Sequence, residues 1–345
     1  MPAFTPRDPN DIGVAVLGAG RMGQTHVRNM AAIPNAHVAV VADPNGDAAE
    51  QGRLLARARR ASTDPVEAIH DPDVEAVVIV TPTSTHAALI EEALRAGKAI
   101  WSEKPIAQEI CETARIVDLW RATGIPVQIG FMRRFDPGYV RARGLVASGA
   151  LGRIEQFRAL SRDTNPPPLE FLLTCGGSFL DMAVHDLDLA RFLVGEVEEV
   201  HAWASVLFDE RFTKADDWDT SIAMLRFRNG ALGVVETARH SRWGYDIRTE
   251  VAGAVGKVVV DGGRKTPAVH FRDVATESDL FGDFADRFEV AYRRELEVFF
   301  EDLAAGRTPA PGPDDALETL RLAVAATESW RQGRPVRLDE VPTGA

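Results

Sequence analysis

Two regimes of apolar spacing alternate along the first 130 residues. Short unbroken apolar runs near 12–17, 37–42, 75–80, 98–102 and 126–130 read as buried strands. Between them, Arg21 to Ala32, Asp47 to Arg60, Ser84 to Ala96 and Ala107 to Thr123 carry helical spacing, with Ser84 or Thr83 placed to cap the third helix. This alternation predicts an α/β domain with a parallel sheet and crossover helices. After Asp136-Pro137-Gly138 the pattern changes. A helix near 137–148, a strand near 153–162 and a helix near 178–194 precede strands near 197–208, 219–228, 231–239, 246–253 and 256–260. Strands that follow one another without helices predict an open, mixed or mostly antiparallel sheet. Amphipathic segments over Arg287 to Ala305 and Pro313 to Gln332 close the chain. The expected organisation is a first domain over 1–130 and an α+β domain over 131–345, with the last helices able to pack back on the first domain.

The first strand runs directly into Gly18-Ala19-Gly20-Arg21-Met22-Gly23, a G-x-G-x-x-G turn that opens a helix. Gly18 allows the tight turn, Gly20 lets the backbone approach a pyrophosphate, and Gly23 lets helix and strand pack closely. The second strand ends in Asp43, about twenty residues past the last glycine, where a carboxylate accepts from a ribose 2′-OH. A 2′-phosphate would be repelled there, and Pro44-Asn45-Gly46 supplies no arginine to receive one. The expected cofactor is NAD, bound by a Rossmann domain.

Composition narrows the partners. The 345 residues carry a net charge of −12 with 45% hydrophobic and 26% charged positions, which suits two globular domains and argues against a nucleic-acid surface. No apolar span of about twenty residues is present and the first ten residues lack a signal-like apolar core, so a cytoplasmic protein without membrane contact is expected. Cys111 and Cys175 are too few for a disulfide scaffold and read as reduced, half-buried packing residues.

Two further clusters carry chemistry. Trp101-Ser102-Glu103-Lys104-Pro105 sits where the fifth strand ends, and ligands of open α/β sheets gather at such carboxyl ends. Lysine is scarce beside arginine in this chain, and an amine can exchange a proton where guanidinium stays charged. In Gly176-Gly177-Ser178-Phe179-Leu180-Asp181-Met182-Ala183-Val184-His185, Asp181 and His185 stand four apart, on one helix face. A carboxylate beside an imidazole makes His185 a competent general base. A structural His–Asp contact, or a metal site completed by Asp188, are the alternatives; no second histidine or cysteine lies nearby, and no metal is expected.

Together these motifs, with Thr81-Pro82-Thr83 and His86, Gly130-Phe131-Met132-Arg133-Arg134-Phe135-Asp136, and Tyr245-Asp246-Ile247-Arg248 before Glu250, resemble the Gfo/Idh/MocA oxidoreductase family over nearly the whole chain, close to its inositol 2-dehydrogenase branch. The resemblance implies a Rossmann domain joined to an open-sheet domain, an active site in the cleft between them, and a homo-oligomer, dimer or tetramer, built on the open sheet. It assigns Lys104, Asp181 and His185 to catalysis, and Gly18, Gly20, Arg21, Met22, Gly23, Asp43, Thr81, Pro82, His86 and Glu103 to the cofactor. It places Arg133, Asp163, Asn165 and Tyr245 on the substrate; taken singly, Arg133 could equally be a surface ion pair, Asn165 a turn residue and Tyr245 a strand-face aromatic. Asp163 stands where inositol dehydrogenases can carry histidine, and Trp243 could face a sugar ring. The implied reaction is oxidation of a secondary hydroxyl of a cyclic polyol or sugar, myo-inositol or a relative first, to a ketone. A pyranose or anhydrosugar dehydrogenase, a glycosidase using bound NAD, and a noncatalytic NAD-binding sensor are the alternatives.

Overall fold

A computed structural model of the chain describes residues 4–344. These residues form two compact units, one holding the chain up to Met132 together with Val290–Glu318, the other Arg133–Glu289 together with Thr319–Pro342.

The first unit is built on six parallel strands, β1 (Ile12–Leu17), β2 (Ala36–Ala42), β3 (Arg60–Ser62), β4 (Ala76–Ile79), β5 (Ala99–Glu103) and β6 (Val127–Gly130), in the order β3-β2-β1-β4-β5-β6. β1 and β4 are buried at every position, as expected of central strands covered on both faces. Val14, Val16, Val41, Val78 and Trp101 share one core with Leu296, Phe299, Phe300 and Leu303 of the helix Glu289–Ala304. β3 and the short helix Pro65–Ile69 were not expected from apolar spacing; Asp64 caps that helix and Pro65 opens it. The expected cap at Thr83 or Ser84 is not made. Residues 83–85 form a 3₁₀ turn, the helix His86–Arg95 begins without a side-chain cap, and the Thr85 hydroxyl lies 2.7 Å from Thr81 Oγ1 and 2.8 Å from the Pro82 carbonyl. Cys111, expected half-buried, is exposed, because it lies on the solvent side of Ile110–Thr123; Cys175 is partly buried.

The second unit carries a seven-stranded sheet. Its members are β7 (Ile154–Arg162), β8 (Val197–Ser205), β9 (Thr220–Phe227), β10 (Leu232–Ala238), β11 (Asp246–Gly253), β12 (Gly256–Val260) and the later segment Val336–Arg337, in the order β12-β11-β7-β10-β9-β8 and then Val336–Arg337. Only β7 and β10 pair in parallel. One face is covered by the helix Val184–Leu193 against β7 and β10, and by the helix Pro313–Gln332, whose Ser329 and Trp330 hydrogen-bond the backbone of β8. The other face alternates outward: Trp203, Ile222, Met224 and Leu232 lie on it and are 51, 45, 53 and 59% exposed. A small hairpin, Val269–Arg272 with Ala275–Ser278, was not foreseen; its strands are four residues long and mostly exposed, so they carry no buried alternation. No helix among the described residues is long and apolar enough to cross a membrane.

Several charges buried in this unit are paired with an opposite charge. Arg134 grips Asp188 with two bonds of 2.9 and 2.6 Å, and Asp188 is 1% exposed. Arg134→Met keeps the stem but strands a buried carboxylate, and should cost about 3–5 kcal/mol of stability, measured by denaturant unfolding. An unchanged midpoint would mean that the pair is not desolvated.

Candidate active site

The glycine turn does what its spacing requires. Gly18 has φ +98°, and a Cβ there would lie 2.5 Å from the Val80 carbonyl oxygen, so no other residue fits without distortion. A Cβ at Gly23 would lie 2.2 Å from the Gly18 carbonyl oxygen, which records how closely the helix Arg21–Met30 sits on the turn. Gly20 is exposed, with nothing within 4 Å of where its Cβ would stand. It occupies the N-cap position of a helix that has no side-chain cap and no acidic residue in its first turn. Uncapped first-turn amides and the positive end of the helix favour an anion at this place, and Gly20 leaves it room. Asp43, half-buried at the end of β2, accepts from the Ala19 and Asn45 amides at 2.8 Å each. Its carboxylate is thereby fixed beside the turn. Glycines, helix start and acid fit an NAD molecule.

Around the ends of β4 and β5 the predicted residues divide. Thr81 and Pro82 follow β4, and the buried His86 reaches the Thr81 carbonyl with Nε2 (2.8 Å) and the Pro105 carbonyl with Nδ1 (2.7 Å). His86 therefore ties together the two backbone segments that carry Thr81 and Lys104. Glu103, expected on the cofactor, turns its carboxylate to His26 Nε2 (3.0 Å) and to the Lys104 amide (3.3 Å).

In the second unit, Arg133, Asp163, Asp181 and Tyr245 are gathered and Asn165 is not. Arg133 is no surface ion pair: it is 3% exposed, donates to Asp186 (2.6 Å) and to Ser161 (3.1 Å), and is covered by Phe288. Burial opposes its charge, but Asp186 outweighs that and holds the guanidinium protonated. Tyr245 lies against it; burial raises the phenol well above its ordinary range, so it stays a neutral hydrogen-bonding group. Asn165 is exposed in the bend before Pro166. Trp243 stands 55% exposed, bonded to Asp246, with Arg162 over its ring.

The residue that sequence reading missed is Arg239. Its guanidinium, 4% exposed, donates to Asp181 Oδ2 (2.8 Å) and Asp163 Oδ2 (3.3 Å). Two carboxylates thus share one cation. Burial raises the Asp163 pKa, with Asp181 adding to the rise and Arg239 opposing it. The signal was present: Val235, Thr237 and Arg239 are the inward positions of an alternating segment, and an arginine on such a face must meet a counter-charge. Asp181 itself lies in a π-helical turn, Phe179–Ala183, that precedes Val184–Leu193, a feature often found at functional sites. His185 is half-buried one turn on. Asp188, the third member of the metal alternative, is occupied by Arg134.

The Asp43 geometry yields a prediction. Asp43→Ala removes a charged acceptor and the order it gives the glycine turn, so NAD should bind weaker by about 1–3 kcal/mol and preference should drift toward NADP. Titration of both cofactors followed by fluorescence measures this, and equal loss for both would show that Asp43 does not read the 2′ position.

Comparison with known proteins places these features. A family model described as an oxidoreductase family with an NAD-binding Rossmann fold matches residues 12–131, and one described as the GFO/IDH/MocA C-terminal domain matches residues 139–259. The scyllo-inositol 2-dehydrogenase (NAD(+)) of Bacillus subtilis (strain 168) is 37% identical over 332 residues, 96% of this chain and 97% of that protein. The myo-inositol 2-dehydrogenase of Thermotoga maritima is 36% identical, covering 95% of this chain and 99% of its own. Among solved structures, a scyllo-inositol dehydrogenase from Lactobacillus casei with bound NAD(H) and scyllo-inositol superposes with a TM-score of 0.89 at 26% identity, covering 95% of this chain and 99% of that one. The match spans both domains and nearly every residue, and the chain belongs to the Gfo/Idh/MocA oxidoreductase family.

Proposed function

We propose that the protein is an NAD-dependent dehydrogenase that oxidises a secondary hydroxyl of a cyclic polyol, with myo- or scyllo-inositol as the first substrates to test. The observation that carries this reading is the family membership together with inositol dehydrogenases at 36–37% identity over nearly the full chain. The polar array of buried Arg133, Tyr245 and Arg239 with the partly buried Asp163 supports it, since a ring bearing many hydroxyls needs fixed donors and acceptors rather than one counter-charge.

In this reading bound NAD supplies the hydride acceptor, held by the Gly18–Gly23 turn with Arg21 and Met22, by Asp43, and by the Thr81-Pro82 segment that His86 fixes. Lys104 binds the reacting hydroxyl through its ammonium. His185 takes the hydroxyl proton, and Asp181 favours the protonated ring. Arg239, bonded to Asp181 at 2.8 Å, orients that carboxylate for the task. Loss of the proton as the hydride leaves avoids a free alkoxide. Arg133, Asp163 and Tyr245 choose among polyols, and Asn165, exposed in its bend, is left out of that group. Asp163 differs from the histidine that inositol dehydrogenases can carry, and its carboxylate is already engaged by Arg239; what it offers a substrate is its remaining oxygen.

A second copy of the chain is the proposed partner of the outward sheet face that carries Trp203, Ile222, Met224 and Leu232, an apolar group on an otherwise charged surface. Ile222→Glu with Met224→Lys should convert the assembly to monomers in size-exclusion chromatography with light scattering. A monomeric parent protein would remove this proposal.

Activity is tested with NAD and a panel of myo-inositol, scyllo-inositol and a pyranose, read as NADH absorbance with equal formation of ketone. Lys104→Met should lower kcat by roughly 10²–10⁴-fold with little change in NAD affinity. Asp163→His should instead reorder the panel through KM. Reduction of NAD by none of the panel would sink the substrate class; near-normal turnover by Lys104→Met would remove that residue from the chemistry.

A further inference from the structure

Behind Lys104, inside the first unit, lies a group of polar atoms that the dehydrogenase reading leaves unused. Glu295, on the helix Glu289–Ala304, is 0% exposed, and neither of its carboxylate oxygens has a hydrogen-bond partner among the described residues. His26 is also 0% exposed; its Nε2 bonds Glu103, and its Nδ1 has no partner. Ligand atoms of His26, Glu103 and Glu295 all lie within 4.8 Å of one another. Trp101 packs on the imidazole with ring centroids 4.6 Å apart, and Tyr292 meets it edge-on. The second oxygen of Glu103 accepts from the amide of Lys104.

Two carboxylates so close and so dry cannot both be ionised without a cation. The titratable groups facing Glu295 are Glu103 from β5 and His26 from the helix Arg21–Met30, with the Tyr292 phenol on its own helix against the same imidazole. Nothing among them brings a fixed positive charge. Burial, with Glu103 adding to it, lifts Glu295 well above the ordinary carboxyl range.

We propose that Glu295 is carried as a neutral carboxylic acid that donates its proton to the Glu103 carboxylate, directly or through one water, and that this acid pair, closed by His26, is a positioning device for Lys104. The proposed link runs from Glu295 to Glu103, whose atoms lie within 4.8 Å, and from Glu103 to the imidazole on one oxygen and to the Lys104 amide on the other. It fixes the last residue of β5 from behind and so fixes the direction in which the next side chain leaves the strand. Glu103 serves as a support here, in place of the cofactor contact expected from the sequence. The functional part rests on the role given to Lys104 above; the protonation state does not.

The experiment uses the full-length enzyme. Infrared difference spectra of parent and Glu295→Gln should show a protonated-carboxyl C=O band at neutral pH that shifts in D₂O and is missing from the variant. Stability gives a second reading without turnover. A carboxyl raised in the folded state contributes its full stability at acid pH, below its unfolded pKa, and loses it as pH rises toward the folded value. The parent should therefore lose ground to Glu295→Gln with rising pH, by up to about tenfold in the unfolding equilibrium constant per pH unit above the ordinary glutamate range. Parallel stability profiles and no carboxyl band overturn the proposal, as does a stoichiometric divalent metal in the purified enzyme that Glu295→Gln no longer holds. Positioning is read separately. Glu295→Leu should lower kcat about tenfold or more with NAD affinity kept, and Glu295→Gln, which retains a donor, should recover most of that loss. Equal kcat for all three proteins removes the positioning claim while the band and the stability profile still decide the proton.

Discussion

A charge taken out of water must be met by an opposite charge, by a set of hydrogen-bond donors or by a proton, and that requirement orders the interior of this protein. In the second unit arginine answers it three times, while the buried Asp219 is held instead by the backbone amides of Leu207, Phe208 and Asp209. Arg133 meets Asp186, Arg134 meets Asp188, and Arg239 meets Asp163 and Asp181 together. Each pair costs several kcal/mol of desolvation per ion and recovers it only through close, multiple hydrogen bonds. The geometry is therefore narrow, and the side chains proposed to act on substrate inherit it. Arg133 cannot rotate away from Asp186 without leaving a buried carboxylate with only the Ser161 hydroxyl, and Asp181 gives up a charged hydrogen bond of 2.8 Å if it leaves Arg239. In the first unit the same requirement meets Glu103 and Glu295, where burial and the neighbouring carboxyl both act against a charge on Glu295, and a proton is the proposed means of neutralising it.

Much of the fold was legible because local rules sufficed. Asp246–Gly253, Gly256–Val260 and Pro313–Gln332 have the bounds that their spacing predicts, each set by a glycine or proline at an end. The three-residue strand Arg60–Ser62 was not legible: it is short and polar, and it exists because Val40, Val41 and Ala42 offer it a partner. Nor was the π turn at Phe179–Ala183, whose extra residue per turn leaves no trace in composition. Thr83 and Ser84 looked like caps, but the chain spends them in a tight turn, and Thr85, which reaches the N-cap position, turns its hydroxyl back to the Pro82 carbonyl.

The site was legible in proportion to how local its parts are. Gly18, Gly20, Gly23 and Asp43 form a motif within one strand-helix-strand unit, and its geometry is the one expected of an NAD cradle. Arg239 and Glu295 face Asp181 and Glu103, 58 and 192 positions away, which no spacing rule reaches. Both nonetheless leave a sign, a charged residue on an otherwise apolar face. Ala291, Tyr292, Leu296 and Phe299 surround Glu295 on the buried side of their helix as Val235 precedes Arg239 on its strand. Reading for misplaced charge would have found both.

The first unit is discontinuous in sequence, and that has a consequence for how the chain is made. Its core is completed by Leu296, Phe299, Phe300 and Leu303, which are added after more than 150 intervening residues of the other unit, Arg133–Glu289. A ribosome delivers the six-stranded sheet long before it delivers the helix that covers it. Until then Ile12, Val14 and Val38 lack part of their cover, and the nascent sheet presents an apolar surface on which chaperones or neighbouring chains can settle. Synthesis order, as much as final stability, then decides how much of this protein reaches its native form.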